Sequence, residues 1–226
     1  MILFAREGAG THYNPKTLAI NYVPFGEGAA DFRIVVLDTG TVRSGLEKST
    51  YRVRRAECEE LVSILQMAGY DISCLADVKE QVVYEKIIAQ FRDEHPDLCD
   101  RLKYIFSAQQ RFYEMLDAWK KGDIETVGGL FGADGIGLRD DYKISGPELE
   151  VMCDIARSVP GVFGARMLGG GDKGAAGALV RADSVDALKR AVDSSYPRIH
   201  PEYGDRYAIH ICKLVDGVRV YEGLPG

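Results

Sequence analysis

The sequence lacks three things that would each have directed its reading. It has no pair of cysteines two residues apart, no apolar run near the ~18–20 residues of a membrane-spanning helix, and no surplus of basic residues. Its five cysteines (Cys58, Cys74, Cys99, Cys153, Cys212) are odd in number and widely spaced, which argues against a disulfide framework and a finger-type zinc site. Reduced thiols in a cytoplasmic protein are the expectation. His12, His95, His200 and His210 stand singly, without a ligand spacing, so no metal site is expected at them. The 28 Lys and Arg against 34 Asp and Glu give a net charge of −6, so no broad basic face is expected for nucleic acid or a membrane surface. The apolar start, Met1 to Ala5, is too short for a signal peptide and has no basic region before it.

What remains is an ordinary globular composition, 46% apolar and 27% charged over 226 residues, with one surplus. Glycine occurs 25 times, about 11% against a usual ~7%. Residues 1–30 carry turn signals at Asn14-Pro15 and Pro24–Gly28 and read as irregular; residues 31–226 read as one domain. Phe32–Asp38 is a β-branched run that stops at Thr39-Gly40, as a buried strand does. Helical spacing follows over Tyr51–Met67, Lys79–Phe91 and Leu98–Lys120, with His95-Pro96 separating the last two. Asp123 caps a short helix through Leu130 and Phe131, after which Gly132, Gly135 and Gly137 are expected to loosen the chain.

Ser145-Gly146-Pro147-Glu148 has the residues of a capping box, and Leu149, Met152, Ile155, Ala156 and Val159 give the helix behind it one apolar face. The period then changes. Val162–Leu168 and Ala175–Val180 read as strands around a glycine-rich loop, Asp183 or Ser184 caps a helix through Val192, and Tyr207–Cys212 pairs with Val218–Tyr221 across Asp216-Gly217. The fold class is α+β, an antiparallel sheet with helices on one face.

No complete active site follows from residue chemistry. Gly169-x-Gly171-x-x-Gly174 has the spacing of a dinucleotide fingerprint, but strand-like Ala175–Ala182 follows where a helix must open. Lys173 is followed by Gly174 and not by Ser or Thr, so the loop is no Walker motif. It is a strand-to-strand loop that permits close approach by a ligand or another segment, or a hairpin packed under a neighbour. Arg52, Arg54 and Arg55 with Glu57, Glu59 and Glu60 read as a solvated, paired helix face. Arg139-Asp140-Asp141-Tyr142 reads as a structural turn, because two adjacent carboxylates lack a third ligand for an ion.

Three segments together resemble the C-terminal part of the galactokinases, within the GHMP family of small-molecule kinases. Val36–Arg43 followed by Ser49–Glu59 is similar to the family strand, its turn and its "S-x-Y-x-x-R-R-x-E-C-E" helix start. Leu138–Glu150 resembles "SLRDDYEVSCPELD", and Gly161–Gly171 resembles the third family motif, "GVxGARMTGAGFGGC". The family's sugar-binding first motif, its ATP-phosphate loop and its catalytic aspartate segment have no counterpart in these residues. The resemblance therefore implies a ferredoxin-like C-terminal lobe, with residues 1–30 continuing from a missing N-terminal lobe and no catalytic residue or metal ligand in this chain.

By the same resemblance, Tyr51 matches the tyrosine that touches the sugar and Arg43 a position near the transferred phosphate. Gly169, Gly170, Gly171 and Gly174 match the third motif, which abuts the phosphate loop of the other lobe. The implied activity is ATP plus galactose or a related sugar to sugar 1-phosphate, with ATP and Mg2+ held mainly by the N-terminal lobe and this chain inactive alone. Departures stand at Leu168 (family Thr), Asp172-Lys173 (Phe-Gly), Asp134-Gly135 ("SH") and Tyr104 (His). They motivate an alternative: a diverged, non-catalytic paralogue that senses sugar or binds a protein.

Overall fold

The structure, a computed structural model, describes residues 5–27, 30–42 and 50–218. A four-stranded antiparallel sheet carries the chain's second half. Its strands are β3 (Phe32–Asp38), β4 (Val162–Met167), β5 (Ala175–Arg181) and β6 (Ala208–Cys212), in the order β4-β5-β3-β6. Two further strands, β1 (Ala9–Tyr13) and β2 (Ile20–Pro24), form a separate hairpin. The helices are α1 (Thr50–Met67), α2 (Gln81–Phe91), α3 (Pro96–Lys121), α4 (Ile124–Asp140), α5 (Pro147–Arg157) and α6 (Val185–Ile199).

Strand parity sorts the core. Val35 and Leu37 of β3 with Ala176, Ala178 and Val180 of β5 face one way, onto Met152 and Ala156 of α5 and Leu188, Val192 and Tyr196 of α6. Ile34 and Leu179, directly opposed in the ladder, face the other way, onto Val127 and Ile124 of α4 and Ala118 of α3. The expected single helical layer is thus the α5/α6 side, and α4 adds a second layer on the opposite face. A separate core joins α1, α2 and α3 through Leu61, Leu65, Ile87, Cys99 and Leu102.

Four local expectations are corrected. Residues 9–24 are not irregular: Asn14–Ala19 turns β1 back onto β2, and the pair lies on α3, where the Trp119 indole N–H donates to the Val23 carbonyl at 2.9 Å. Helix α4 runs on to Asp140 through Gly132, Gly135 and Gly137. These glycines cost helix propensity, but Gly132 and Gly135, with Gly128 before them, let α4 lie almost backbone to backbone on β4, while Gly137 faces Tyr104 and Arg111 of α3. A Cβ at Gly135 would stand 2.6 Å from the Arg166 Cβ, and one at Gly128 would stand 2.8 Å from the Phe163 carbonyl carbon. The cap of α5 is Gly146 and not Ser145, whose hydroxyl turns instead to Glu150. A side chain at 146 would strike the Asp172 carbonyl.

Finally, α6 continues seven residues past Val192, because Tyr196 is needed in the core. The expected partner strand of β6 lies almost wholly outside the described residues. Within them, Asp216 and Gly217 bond to the N-terminal segment: the Glu7 N–H donates to Asp216 at 2.9 Å and the Gly217 N–H to the Ala5 carbonyl at 2.8 Å.

Candidate functional site

The β4–β5 connection, Leu168–Gly174, is the glycine-rich loop, and it joins two strands as the sequence implies. Gly169, Gly171 and Gly174 take positive φ values of 76°, 75° and 114°, the region that L-residues with a Cβ disfavour. Asp172 adopts φ 67° despite its side chain. The loop is tied at both ends. The Asp172 N–H donates to the Ile144 carbonyl at 2.7 Å, which binds the loop to the segment before α5. At the other end, Thr39 and Thr41, just past β3, hold Gly174 by its N–H and its carbonyl.

Tyr51, in the first turn of α1, comes to this loop. A Cβ at Gly170 would be 3.7 Å from the Tyr51 ring, and the ring is about half exposed, at 51%. The structure thus brings together Tyr51, Gly170 and the glycines around it. Arg43 lies outside the described residues. Tyr51 also lines a groove of about 520 Å³, walled by Arg55, Cys58, Ser73, Cys74 and Tyr142 among others. The Tyr142 hydroxyl lies 3.5 Å from the Cys58 sulfur, and burial, the first cause in each case, pushes the pKa of both groups up, leaving them protonated and uncharged.

The charged face of α1 divides in two. Arg55 and Glu59 pair in solvent at 2.8 Å, as expected. Glu57 turns inward, pairing with Arg54 at 3.0 Å and with Arg101 of α3 at 2.6 Å; Arg101 is only 1% exposed and also donates to the Asp141 carbonyl. This corrects the reading of the whole face as solvated. It also ties α1, α3 and the Arg139–Tyr142 turn into one unit. Within that turn, Arg139 pairs with Asp140 and Lys103 with Asp141 at 2.8 Å, so the turn is structural. Among the described residues, no group of three or more His, Cys, Asp or Glu side chains could hold a metal ion.

The departures at 104 and 134 prove to be one arrangement. The Tyr104 hydroxyl donates to the Asp134 carboxylate at 3.4 Å, and the same carboxylate takes Arg111 at 3.0 Å and Arg166 of β4. Burial first, and then the charge of Asp134, keep the Tyr104 phenol well above its ordinary range. Leu168 lies over Gly177, where a Cβ would be 3.0 Å from it, and offers no hydroxyl to the loop. Sequence reasoning missed the Thr39/Thr41 contact; a Thr-Gly-Thr run closing a strand was its only trace.

Comparisons with known proteins bear on the fold and the family. Residues 115–198 match the family model described as GHMP kinases C terminal. A galactokinase of Chloroflexus aurantiacus is 38% identical over 169 residues, 74% of this chain and 42% of the relative. One from Limosilactobacillus fermentum is 34% identical over 202 residues, 89% of this chain and 50% of the relative. The crystal structure of Lactococcus lactis galactokinase complexed with galactose superimposes with a TM-score of 0.82 at 28% identity, over 95% of this chain and 53% of that one. L. major mevalonate kinase shares the fold, with a TM-score of 0.51 at 17% identity over 90% of this chain and 47% of that one. The chain carries the C-terminal domain of the GHMP kinase family. Within that family it is galactokinase-like, and it spans about half the length of the curated relatives it matches.

Proposed function

We propose that this chain is the C-terminal lobe of an ATP-dependent, galactokinase-like kinase that phosphorylates the anomeric hydroxyl of galactose or a related sugar. The supporting observation is that Tyr51 and Gly170, matched independently to the family's sugar tyrosine and its third motif, stand side by side. Tyr51 would present its hydroxyl to the sugar, and the exposed Gly169 with half-buried Gly170 would meet a phosphate-binding lobe supplied by other residues. Phosphoryl transfer depends mainly on positioning and charge neutralisation. By the resemblance, ATP, Mg2+ and the catalytic carboxylate would belong with the other lobe, and no step is assigned here to the metal. No helix among the described residues is long and apolar enough to cross a membrane.

The experiment is a coupled ADP-release assay on this chain with Mg-ATP and galactose. No turnover above background is expected, and robust turnover refutes the assignment of catalysis to other residues. A second reading, a non-catalytic paralogue that senses sugar or binds a protein, draws support from Leu168, whose side chain cannot replace the family threonine's hydroxyl. It predicts galactose binding by calorimetry without turnover even when a phosphate-binding lobe is added.

A further inference from the structure

The turn after β3 makes a closed set of hydrogen bonds with the glycine loop. The Gly174 N–H donates to Thr41 Oγ1 at 3.0 Å, and the Thr39 hydroxyl donates to the Gly174 carbonyl at 2.5 Å. The two hydroxyl oxygens lie 2.8 Å apart. Since the Thr39 proton is committed to Gly174, the Thr41 hydroxyl donates to Thr39, whose oxygen also accepts the Thr41 N–H at 3.4 Å. The Thr39 N–H adds a second bond to the Gly174 carbonyl, at 3.0 Å.

Two features fix the turn from behind. Thr39 is fully buried, and its carbonyl accepts the hydroxyl of Tyr196, itself fully buried in α6, at 2.8 Å. Gly40 between the threonines has φ 72°, and a Cβ there would stand 2.8 Å from the backbone of Arg206. A polar chain therefore runs from the core of α6 to the loop: Tyr196 to Thr39, Thr39 and Thr41 to Gly174. Hydroxyls buried as deeply as those of Thr39 and Tyr196 are costly unless paired; Tyr196 is paired with the Thr39 carbonyl, and Thr39 with the loop residue Gly174.

We propose that Thr39, Thr41 and Tyr196 are positioning residues that set the conformation of the glycine loop, so that Gly170 is presented beside Tyr51 without help from any other lobe. None of the three acts on substrate directly; each works through Gly174. The proposal rests on the functional reading above only for what the loop then meets, because loop order can be measured on this chain by itself.

The test is residue-resolved amide hydrogen exchange on the 226-residue chain. In Thr39→Val, exchange at Gly174 is expected to rise about tenfold, the scale of one lost hydrogen bond, while amides of Leu188 and Val192 in α6 change no more than global stability requires. Tyr196→Phe should give the same local pattern. Thr39→Ser, which keeps the hydroxyl, should return Gly174 to within about twofold of the parent chain. The proposal is overturned if Gly174 exchange is unchanged in Thr39→Val, if it rises only in step with the α6 amides, or if the Ser variant behaves like the Val variant. Should Tyr196→Phe fail to fold, the Ser and Val pair at position 39 decides alone. An ordered loop in a chain that gives no turnover even with an N-terminal galactokinase lobe added would leave the clamp standing and remove the kinase reading; turnover in that mixture with Gly174 exchange unchanged in Thr39→Val would do the opposite.

Discussion

Two groups of glycines, about forty residues apart, have opposite roles. In α4, Gly128, Gly132 and Gly135 take helical backbone, and glycine is needed at 128 and 135 because of what lies outside the helix: the backbone and Cβ atoms of β4. In the loop, Gly169 and Gly174 have open space around them, and glycine is required by their own backbone angles. The first group gives up helix propensity for contact, and the second supplies conformations that other residues resist. Composition cannot separate the two, since both appear only as an excess of one residue.

The sharpest break of this contrast is at the α4–β4 contact. Gly128→Ala should destabilise the protein by about 3 kcal/mol in urea unfolding, because an added methyl meets the Phe163 backbone and neither element can move freely. A smaller cost is expected in the loop: Gly169→Ala meets no atoms but strains a φ of 76°, for about 1–2 kcal/mol. Gly129→Ala supplies the opposite sign. Gly129 is exposed in the same helix with nothing within 4 Å of its added methyl, so alanine should stabilise by about 0.5–1 kcal/mol through better helix propensity. Equal losses at 128 and 129 would end the distinction drawn here.

The smallest effect lies outside both groups and serves as a control. Lys16, in the β1–β2 turn, pairs with Asp77 at 2.8 Å, and hydrogen bonds from Lys16 and Ser73 hold the Asp77 carboxyl well below its ordinary range. A carboxyl lowered in the folded state stabilises above its unfolded value of about 3.9 and loses that contribution as pH falls through its folded value. The melting temperature of the parent chain should therefore exceed that of Asp77→Asn at pH 6, and the gap should close as the pH is lowered towards 2. A gap that stays constant with pH would show that the attachment of the hairpin to Ser73–Asp77 does not depend on this charge.

Much of the fold was legible because local signals agreed with tertiary need. The β4–β5 hairpin had strand-like runs on both sides of its glycines, and α1 and α3 had unbroken apolar stripes. The continuation of α4 was hidden because its glycines signal disorder locally and are overruled by contact with β4. The β1–β2 hairpin was hidden because Ala9–Tyr13 does not alternate clearly, and its stabilisation comes from Trp119, some hundred residues away. Tyr196 was missed for a related reason: Pro197 beside it cannot donate a helical hydrogen bond and reads as a helix end, yet α6 runs on to Ile199 with Tyr196 fully buried.

At the site, residue chemistry alone reached only a loop that permits close approach. The pairing of Tyr51 with Gly170 joins positions more than a hundred residues apart, and only the resemblance anticipated that both belong to one site. The pairing of Tyr104 with Asp134 shows why isolated departures from a family pattern are hard to interpret. Each looked like a loss, yet together with Arg111 and Arg166 they form one satisfied buried cluster, which is what a polar group removed from water requires.

The most direct measurement mixes this chain with the separately expressed N-terminal lobe of a galactokinase and follows ADP release with galactose and Mg-ATP. The account predicts turnover in the mixture, none with either part alone, and at least a tenfold loss when Tyr51→Phe removes the hydroxyl offered to the sugar. Turnover by this chain alone, or a mixture that binds tightly, turns over and is indifferent to Tyr51, would contradict it.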